Sequence, residues 1–192
     1  MGTDRETVVT VSNPRVLNIG CGHKKFVGAV NVDAYDTCKP DIVWDLNKVP
    51  WTWAKDGEFD LILARHVFEH LIDWWPAFSE CARVLKVGGK LEIRVPDESS
   101  STALAYRDHH HIFTAFSFHG IKDGNNIVTW RSGTNAWAIT QEGSVPFRAL
   151  VAAQVPFPKY AWMIHFHWLL QFCARHLRNF IHEQVFIFEK ID

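Results

Sequence analysis

The sequence lacks a strong excess of charge of either sign. Its 192 residues include 20 Lys and Arg against 21 Asp and Glu, which gives a formal net charge of -1. Proteins that bind nucleic acid through the phosphate backbone usually carry a clear basic excess. The charge balance therefore argues against nucleic acid as a partner.

Paired cysteines and long apolar runs are also missing. The four cysteines include no CxxC pair, so we expect four free thiols in a reducing compartment. No stretch reaches the length of a membrane span, because His165, His167 and Gln171 interrupt the nearest one at residues 160–174. Residues 1–14 are polar, without the apolar core of a signal peptide. These absences predict a cytoplasmic protein with no membrane span.

The length suits one domain with a sizeable core. We expect a flexible segment at residues 1–14 and a single domain at residues 15–192. Five short apolar runs in its first half each end in a polar residue or glycine, and these runs are residues 15–19, 29–32, 41–44, 59–64 and 90–95. A helix is predicted to start at Asp73 as N-cap and to stop at Gly88-Gly89. The pattern predicts an open parallel α/β sheet, in which ligands bind at the carboxyl ends of the strands.

The residues at the first three strand ends have the chemistry of a nucleoside site. A glycine turn at residues 20–22 lets the backbone approach a ligand closely. Asp33 can accept hydrogen bonds from ribose hydroxyls, and Asp45 can accept one from an adenine amino group while Leu46 packs on the base. Each aspartate could instead only cap a turn. A dinucleotide fingerprint would need a third glycine where Lys25 stands, which weakens a nicotinamide-dependent oxidoreductase as an alternative.

Several motifs occur in a familiar order between residues 15 and 97. They are LNIGCG (17–22), NVD (31–33), FDLI (59–62), HVFEHL (66–71) and RVLKVGGKL (83–91). Together they resemble the class I methyltransferases that use S-adenosylmethionine (SAM), and within them the type 11 branch with an abbreviated first helix. The resemblance implies a Rossmann-like, mostly parallel seven-stranded sheet of order 3-2-1-4-5-7-6, flanked by helices, with the seventh strand antiparallel. Residues 148–155 and 184–190 are the candidates for its last two strands.

The resemblance also implies roles for individual residues. Residues 15–97 would hold SAM and its product S-adenosylhomocysteine. Gly20, Cys21 and Gly22 would pass under the methionine part, Asp33 would hold the ribose, and Asp45 with Leu46 the adenine. Arg65 and His66 would face the methyl donor and the acceptor. Only eleven positions separate Gly22 from Asp33, so the helix between the first two strands must be very short.

Methyl transfer from a sulfonium depends mainly on alignment, but an oxygen or nitrogen acceptor also needs a general base. Histidine suits this role near neutral pH. The candidates are His66, beside the expected cofactor, and His109 and His110, in a run that continues to His111. His66 could instead cap a helix or pack. The run is also a conceivable metal site, but no cysteine or carboxylate set at ligand spacing accompanies it, so no metal is predicted.

Residues 98–192 are expected to supply a substrate lid and the last two strands. A helical stretch is predicted at residues 160–180, with Trp162, Phe166 and Leu169 on one face. Trp130 and Trp137 are further aromatic residues of the lid. We favour packing of this face on the sheet over an aromatic pocket or a homodimer contact. The Asn- or Asp-Pro-Pro-aromatic motif of amino-methylating DNA enzymes is absent after the fourth strand. We therefore expect methyl transfer to a small molecule or a sugar or glycan precursor; the alternative is a catalytically silent SAM-fold binding or assembly module.

Overall fold

A seven-stranded sheet forms the centre of the computed structural model, which describes residues 14–114, 117–118, 122–123, 126–127, 145–176 and 178–192. The strands are β1 (Val16–Ile19), β2 (Ala29–Asp33), β3 (Ile42–Val43), β4 (Phe59–Arg65), β5 (Leu85–Pro96), a separate short pair β6 (Lys122–Asp123) and β7 (Asn126–Ile127), β8 (Phe147–Pro156) and β9 (Ile181–Lys190). The α-helices are α1 (Trp74–Val84), α2 (Ser101–Ala105) and α3 (His167–His176). Short 3-10 helices lie at Asp36–Cys38, Phe68–His70 and Pro158–His165.

The order of the strands in the sheet is β3-β2-β1-β4-β5-β9-β8. Counted within this sheet alone, that is the predicted order 3-2-1-4-5-7-6, which the structure confirms. β1 to β5 pair in parallel, and β9 runs antiparallel to both of its neighbours. The central strands read as continuous apolar runs because both faces of such a sheet are covered. The carboxyl ends of β1, β2 and β4 therefore meet at one edge.

The connection from β1 to β2 differs from the expectation of a very short helix. Residues 20–28, all described by the structure, form turns and no helix. Asn18 and Asn31 organise this loop, because the buried Asn31 side chain accepts from Asn18 Nδ2 at 3.0 Å and from the Phe26 N–H at 2.9 Å. The sequence predicts a very short helix in this connection, and the structure has none there.

Helix α1 starts as predicted but ends earlier. The Asp73 side chain caps it by accepting from the Trp75 N–H at 3.0 Å. The predicted end at Gly88-Gly89 is wrong, because the helix stops at Val84 and the buried Leu85 already pairs with Phe59 of β4. Gly89 instead lies within β5, where a Cβ would come within 2.8 Å of the Lys86 carbonyl oxygen.

Phenylalanine side chains account for much of the core between α1 and the sheet. Phe78 is fully buried and its ring lies 4.9 Å from Phe147, 5.3 Å from Phe188 and 5.5 Å from Phe118, measured between centroids. Burying one such side chain stabilises a fold by about 1.5–3 kcal/mol. Many of the aromatic residues thus serve to pack α1 against the sheet.

The C-terminal helical stretch is divided into Pro158–His165 and α3. A small separate core forms there from Met163, Leu170, Cys173 and Ile181. The preferred interpretation that Trp162 and Phe166 pack on the sheet is wrong, because these side chains are 56% and 51% exposed. Trp130, Trp137 and the segment 1–13 lie outside the described residues. Within the part that is described, none of the helices combines the length and apolarity needed to cross a membrane.

Candidate active site

The glycine turn after β1 forms an open cradle at the carboxyl edge of the sheet. Gly20 has a φ of 58°, and a Cβ there would stand 2.3 Å from Val67 Cγ2, so only glycine fits. Gly22 has a φ of 49°, and a Cβ there would meet no atom within 4 Å. The buried Cys21 lies between them, and burial, followed by the charge of Asp33, raises the pKa of its thiol. The turn thus packs against Val67, two residues beyond β4, while space remains open above Gly22.

Asp33 is fixed beside this cradle. Its side chain is 8% exposed, and its Oδ2 accepts from the Gly22 N–H at 2.8 Å. Its Oδ1 accepts from the Tyr35 N–H at 2.9 Å. Because each carboxylate oxygen can accept two hydrogen bonds, both oxygens keep one acceptor site. The arrangement offers a preoriented acceptor for a pair of hydroxyl groups next to Gly22.

Asp45 and Leu46 follow the next strand and differ in accessibility. The Trp44 N–H donates to the Asp33 carbonyl oxygen at 2.8 Å, which ties this segment to the end of β2. Asp45 is partly exposed, and its Oδ1 accepts from the backbone and side-chain nitrogens of Asn47. Leu46 is 6% exposed and belongs to the main core, which leaves little of its side chain for a ligand.

Arg65 and His66 stand at the end of β4, across from Gly20. The Arg65 guanidinium lies 3.2 Å from Glu92 Oε1 and 5.1 Å from the centre of the Phe26 ring. His66 adopts a φ of 56°, a conformation uncommon for a non-glycine residue and one that often marks functional sites.

The ring of His66 lies between two carboxylates. Its Nε2 is 3.3 Å from Glu183 Oε2 and its Nδ1 is 3.2 Å from Glu69 Oε1. Hydrogen bonds to Glu183 and Glu69 raise the pKa of His66 to about 9. An imidazolium donates from both nitrogens and has no lone pair to accept a proton. This arrangement argues against His66 as the general base at neutral pH.

The other two base candidates, His109 and His110, lie near Glu69. His109 Nδ1 is 3.2 Å from the Ala103 carbonyl oxygen, and its ring contacts that of His70 at 4.7 Å. The His110 side chain is exposed, while its N–H donates to the Glu69 carbonyl oxygen at 2.7 Å. His111 Nε2 lies 3.1 Å from the Ile72 carbonyl oxygen.

Two carboxylates complete this site, of which the sequence indicates only Glu69, as a possible partner of a nearby histidine or a substrate amine. Glu69 carries a pattern typical of a helix-start charge, yet it is 1% exposed in the 3-10 helix Phe68–His70. Glu183 gives no sequence signal, because it reaches the site only through the antiparallel pairing of β9 with β5. The pKa of Glu183 is lowered mainly by its hydrogen bond with His66, and Arg94 lowers it further. These effects outweigh burial, which acts in the opposite direction.

A family model described as a methyltransferase domain matches residues 5–132, about two thirds of the chain. The chain belongs to this methyltransferase family. No curated protein matches the sequence significantly. The branch with an abbreviated first helix stays a prediction.

Solved structures share the fold at low sequence identity. A SAM-dependent methyltransferase from Mesorhizobium loti is 15% identical with a TM-score of 0.55, over 94% of this chain and 92% of that one. A SAM-dependent methyltransferase from Archaeoglobus fulgidus is 15% identical with a TM-score of 0.54, over 92% and 86%. The [4+2]-cyclase SpnF is 14% identical with a TM-score of 0.56, over 93% and 74%. At these identities the likeness establishes the fold.

Proposed function

We propose that this chain binds SAM and transfers its methyl group to a small molecule or a sugar or glycan precursor. The observation that carries the proposal is the Asp33 carboxylate, held by the Gly22 N–H beside an open glycine cradle. The residues present fit a nucleoside with a vicinal diol and an adjoining chain. SAM would supply an activated methyl group, and the chain would align it with an acceptor and exclude water.

The assignments follow the strand ends. Asp33 would bind the ribose hydroxyls, and the Gly20-Cys21-Gly22 backbone would lie under the methionine part. Asp45 would accept from the adenine amino group, and Leu46 would contribute only the exposed edge of its side chain. Arg65 and His66 would border the methyl donor, with His66 acting as a fixed cation.

The side chains that would face the methyl acceptor, here called the acceptor side, favour a polar substrate. Glu69 and Glu183 each lie within hydrogen-bonding distance of His66, which follows β4. Such groups recognise hydroxyl or amino groups better than an apolar surface. We propose that residues 98–192 cover this side as a substrate lid and that His109 or His110 removes a proton where the acceptor requires it.

Calorimetry with S-adenosylhomocysteine tests the cofactor assignment. Wild-type protein should bind one equivalent, and Asp33→Ala should abolish binding because the diol loses its acceptor. Asp36→Ala is the matched control, since Asp36 is an exposed carboxylate three residues away. Unchanged affinity in Asp33→Ala, or absence of binding in a folded wild type, would show that the assignment is wrong.

A second candidate is a SAM-fold binding or assembly module that does not transfer methyl groups. The double ion pair of His66 favours it, because that histidine has no free lone pair to act as a base. The [4+2]-cyclase with this fold shows that the architecture is not limited to one reaction. Transfer of labelled methyl groups from SAM to any acceptor in a cell extract would eliminate the module.

We further propose a cytoplasmic location without a nucleic-acid partner. The free cysteines Cys21, Cys38, Cys81 and Cys173 support a reducing compartment. A homodimer through the aromatic C-terminal region is supported by the exposed Trp162, Phe166 and Trp168. Sedimentation of the purified protein would detect the dimer.

A further inference from the structure

A buried carboxylate, the histidine that follows it in the sequence and a histidine forty residues later meet close to His66. Glu69, His70 and His109 each offer one ligand atom, and these three atoms lie within 4.8 Å of one another. Along the chain the histidine run has no carboxylate at ligand spacing, which is why the sequence predicts no metal. The fold supplies one from forty residues upstream.

One oxygen of Glu69 has no hydrogen-bond partner in the described part of the chain. Oε1 is 3.2 Å from His66 Nδ1, whereas Oε2 is buried and makes no hydrogen bond to any of the residues that the structure describes. Glu69 as a whole is 1% exposed. A buried acceptor left unsatisfied costs about 1–3 kcal/mol, and more if it is charged. A cation next to Oε2 would remove this penalty.

Both histidines are held in the manner of metal ligands. His109 Nδ1 is 3.2 Å from the Ala103 carbonyl oxygen, and His70 Nδ1 is 3.1 Å from Asp108 Oδ2. Histidine ligands of metals almost always donate their second ring N–H to a carbonyl or carboxylate, which fixes the tautomer. In this arrangement each ring keeps the lone pair on its Nε2.

Backbone hydrogen bonds attach the histidine run to the carboxylate. The N–H groups of His110 and His111 donate to the Glu69 carbonyl oxygen at 2.7 and 3.3 Å. The segment that carries His109 is therefore anchored to the segment that carries Glu69 and His70. The cluster depends on these local contacts and not on a chance approach of long side chains.

We propose that Glu69, His70 and His109 form a binding site for a divalent transition metal, with Zn²⁺ as the best match. Two histidines and one glutamate are a known ligand set for zinc, and three protein ligands leave a position open for water or an oxygen of another molecule. Bond lengths of about 2.0 Å in a tetrahedral site separate ligands by about 3.3 Å. The widest pair, now within 4.8 Å, would close by side-chain rotation.

The proposal gives His109 a ligand role that excludes the general-base role while the metal is bound. The lone pair that would make this histidine a general base is the one that would coordinate the metal. The proposal does not depend on SAM binding, because the three ligands are separate from Asp33 and the glycine cradle. Zinc binding and S-adenosylhomocysteine binding can therefore succeed or fail independently.

Competition with a chromophoric zinc chelator, using tag-free full-length protein without cofactor, tests the site. Wild-type protein should bind one Zn²⁺ per chain, with a rise in Tm that EDTA reverses. His109→Ala and Glu69→Gln should weaken binding by at least about tenfold, and Asp108→Asn, at an exposed outer partner, by about tenfold. His110→Ala is the matched control, because this exposed neighbour in the same run is not in the cluster, and it should bind as the wild type does.

Three results would overturn the proposal. The first is no stoichiometric zinc binding by folded wild-type protein. The second is wild-type affinity in His109→Ala, which would place the metal on other histidines. The third is equal loss in His110→Ala and His109→Ala. Since Glu69→Gln alters a buried side chain, Asp108→Asn gives an independent readout from the surface.

Discussion

Replacing Arg83 by methionine should destabilise the fold, because this guanidinium joins α1 to the loop before β4. Arg83 Nε and Nη2 donate to the two oxygens of Glu80 at 2.9 and 2.8 Å. Arg83 Nη1 donates to Asp56 at 2.6 Å and to the Ala54 carbonyl oxygen at 3.1 Å. The Glu80 side chain is 11% exposed and also accepts from the Trp51 N–H at 2.6 Å.

The expected loss in the free energy of unfolding is about 3 kcal/mol. Arg83→Met removes two charge-assisted hydrogen bonds from Glu80, each worth about 1.5–3 kcal/mol. It also leaves a buried carboxylate with the Trp51 N–H as its remaining donor. The Arg83 side chain is 28% exposed, so water can replace part of what is lost and the lower half of the range applies. For a domain of this size the Tm should fall by about 6–12 °C.

The loss should shrink in acid. Burial raises the pKa of Glu80, but hydrogen bonds from Arg83 and the Trp51 N–H outweigh it and lower that pKa below its ordinary value of 4.5. In the wild type this group therefore contributes stability above about pH 4.5, and the contribution is lost as pH falls through the folded pKa. In Arg83→Met burial dominates and raises the pKa of Glu80. Protonation of Glu80 in acid then removes the buried charge and reduces the loss of stability in this variant.

Urea denaturation at about pH 7 and about pH 4.5 measures both effects. The double variant Glu80→Gln/Arg83→Met should be more stable than Arg83→Met alone, because no buried charge is left uncompensated. Lys86→Met is the control, since its ion pair with Asp60 is exposed and should be worth no more than about 1 kcal/mol. The reasoning would be refuted if the loss of stability in Arg83→Met did not shrink in acid. It would also be refuted if the loss in the double variant equalled the sum of the losses in Glu80→Gln and Arg83→Met.

Three further predictions concern the site. Gly20→Ala should lower the free energy of unfolding by about 2–3 kcal/mol, since its Cβ would clash with Val67 and its φ costs about 1–2 kcal/mol. Gly22→Ala should lower the free energy of unfolding by only about 1 kcal/mol. It should nevertheless abolish calorimetric binding of S-adenosylhomocysteine, because its Cβ would fill the cradle. Equal losses of stability in Gly20→Ala and Gly22→Ala would contradict this. His109→Ala should spare S-adenosylhomocysteine binding but lower transfer of labelled methyl groups to a panel of sugar acceptors, and wild-type rates would exclude a role for His109.

The strand order and the meeting of Asp33 with the glycine turn could be predicted because they depend on local patterns. Each apolar run ends in a polar residue or glycine, and parallel strands bring those ends to one edge. The structure places the Asp33 carboxylate 2.8 Å from the Gly22 N–H, although eleven positions separate them. The end of α1 was less legible, because glycine is a common helix stop and nothing local shows that Leu85 pairs with Phe59.

The meeting of Glu183 with His66 and of His109 with Glu69 could not be predicted, because these groups arrive through long connections. Glu183 meets His66 only because β9 runs antiparallel beside β5. His109 comes within 4.8 Å of Glu69 because the chain folds back after α2. Read alone, His66 is a histidine at a strand end and a plausible base. Between two carboxylates the pKa of this histidine rises to about 9, and it becomes a fixed cation. The chemistry of a histidine is thus set by its neighbours in space. For His66 one of these neighbours, Glu183, comes from β9, far away in the sequence.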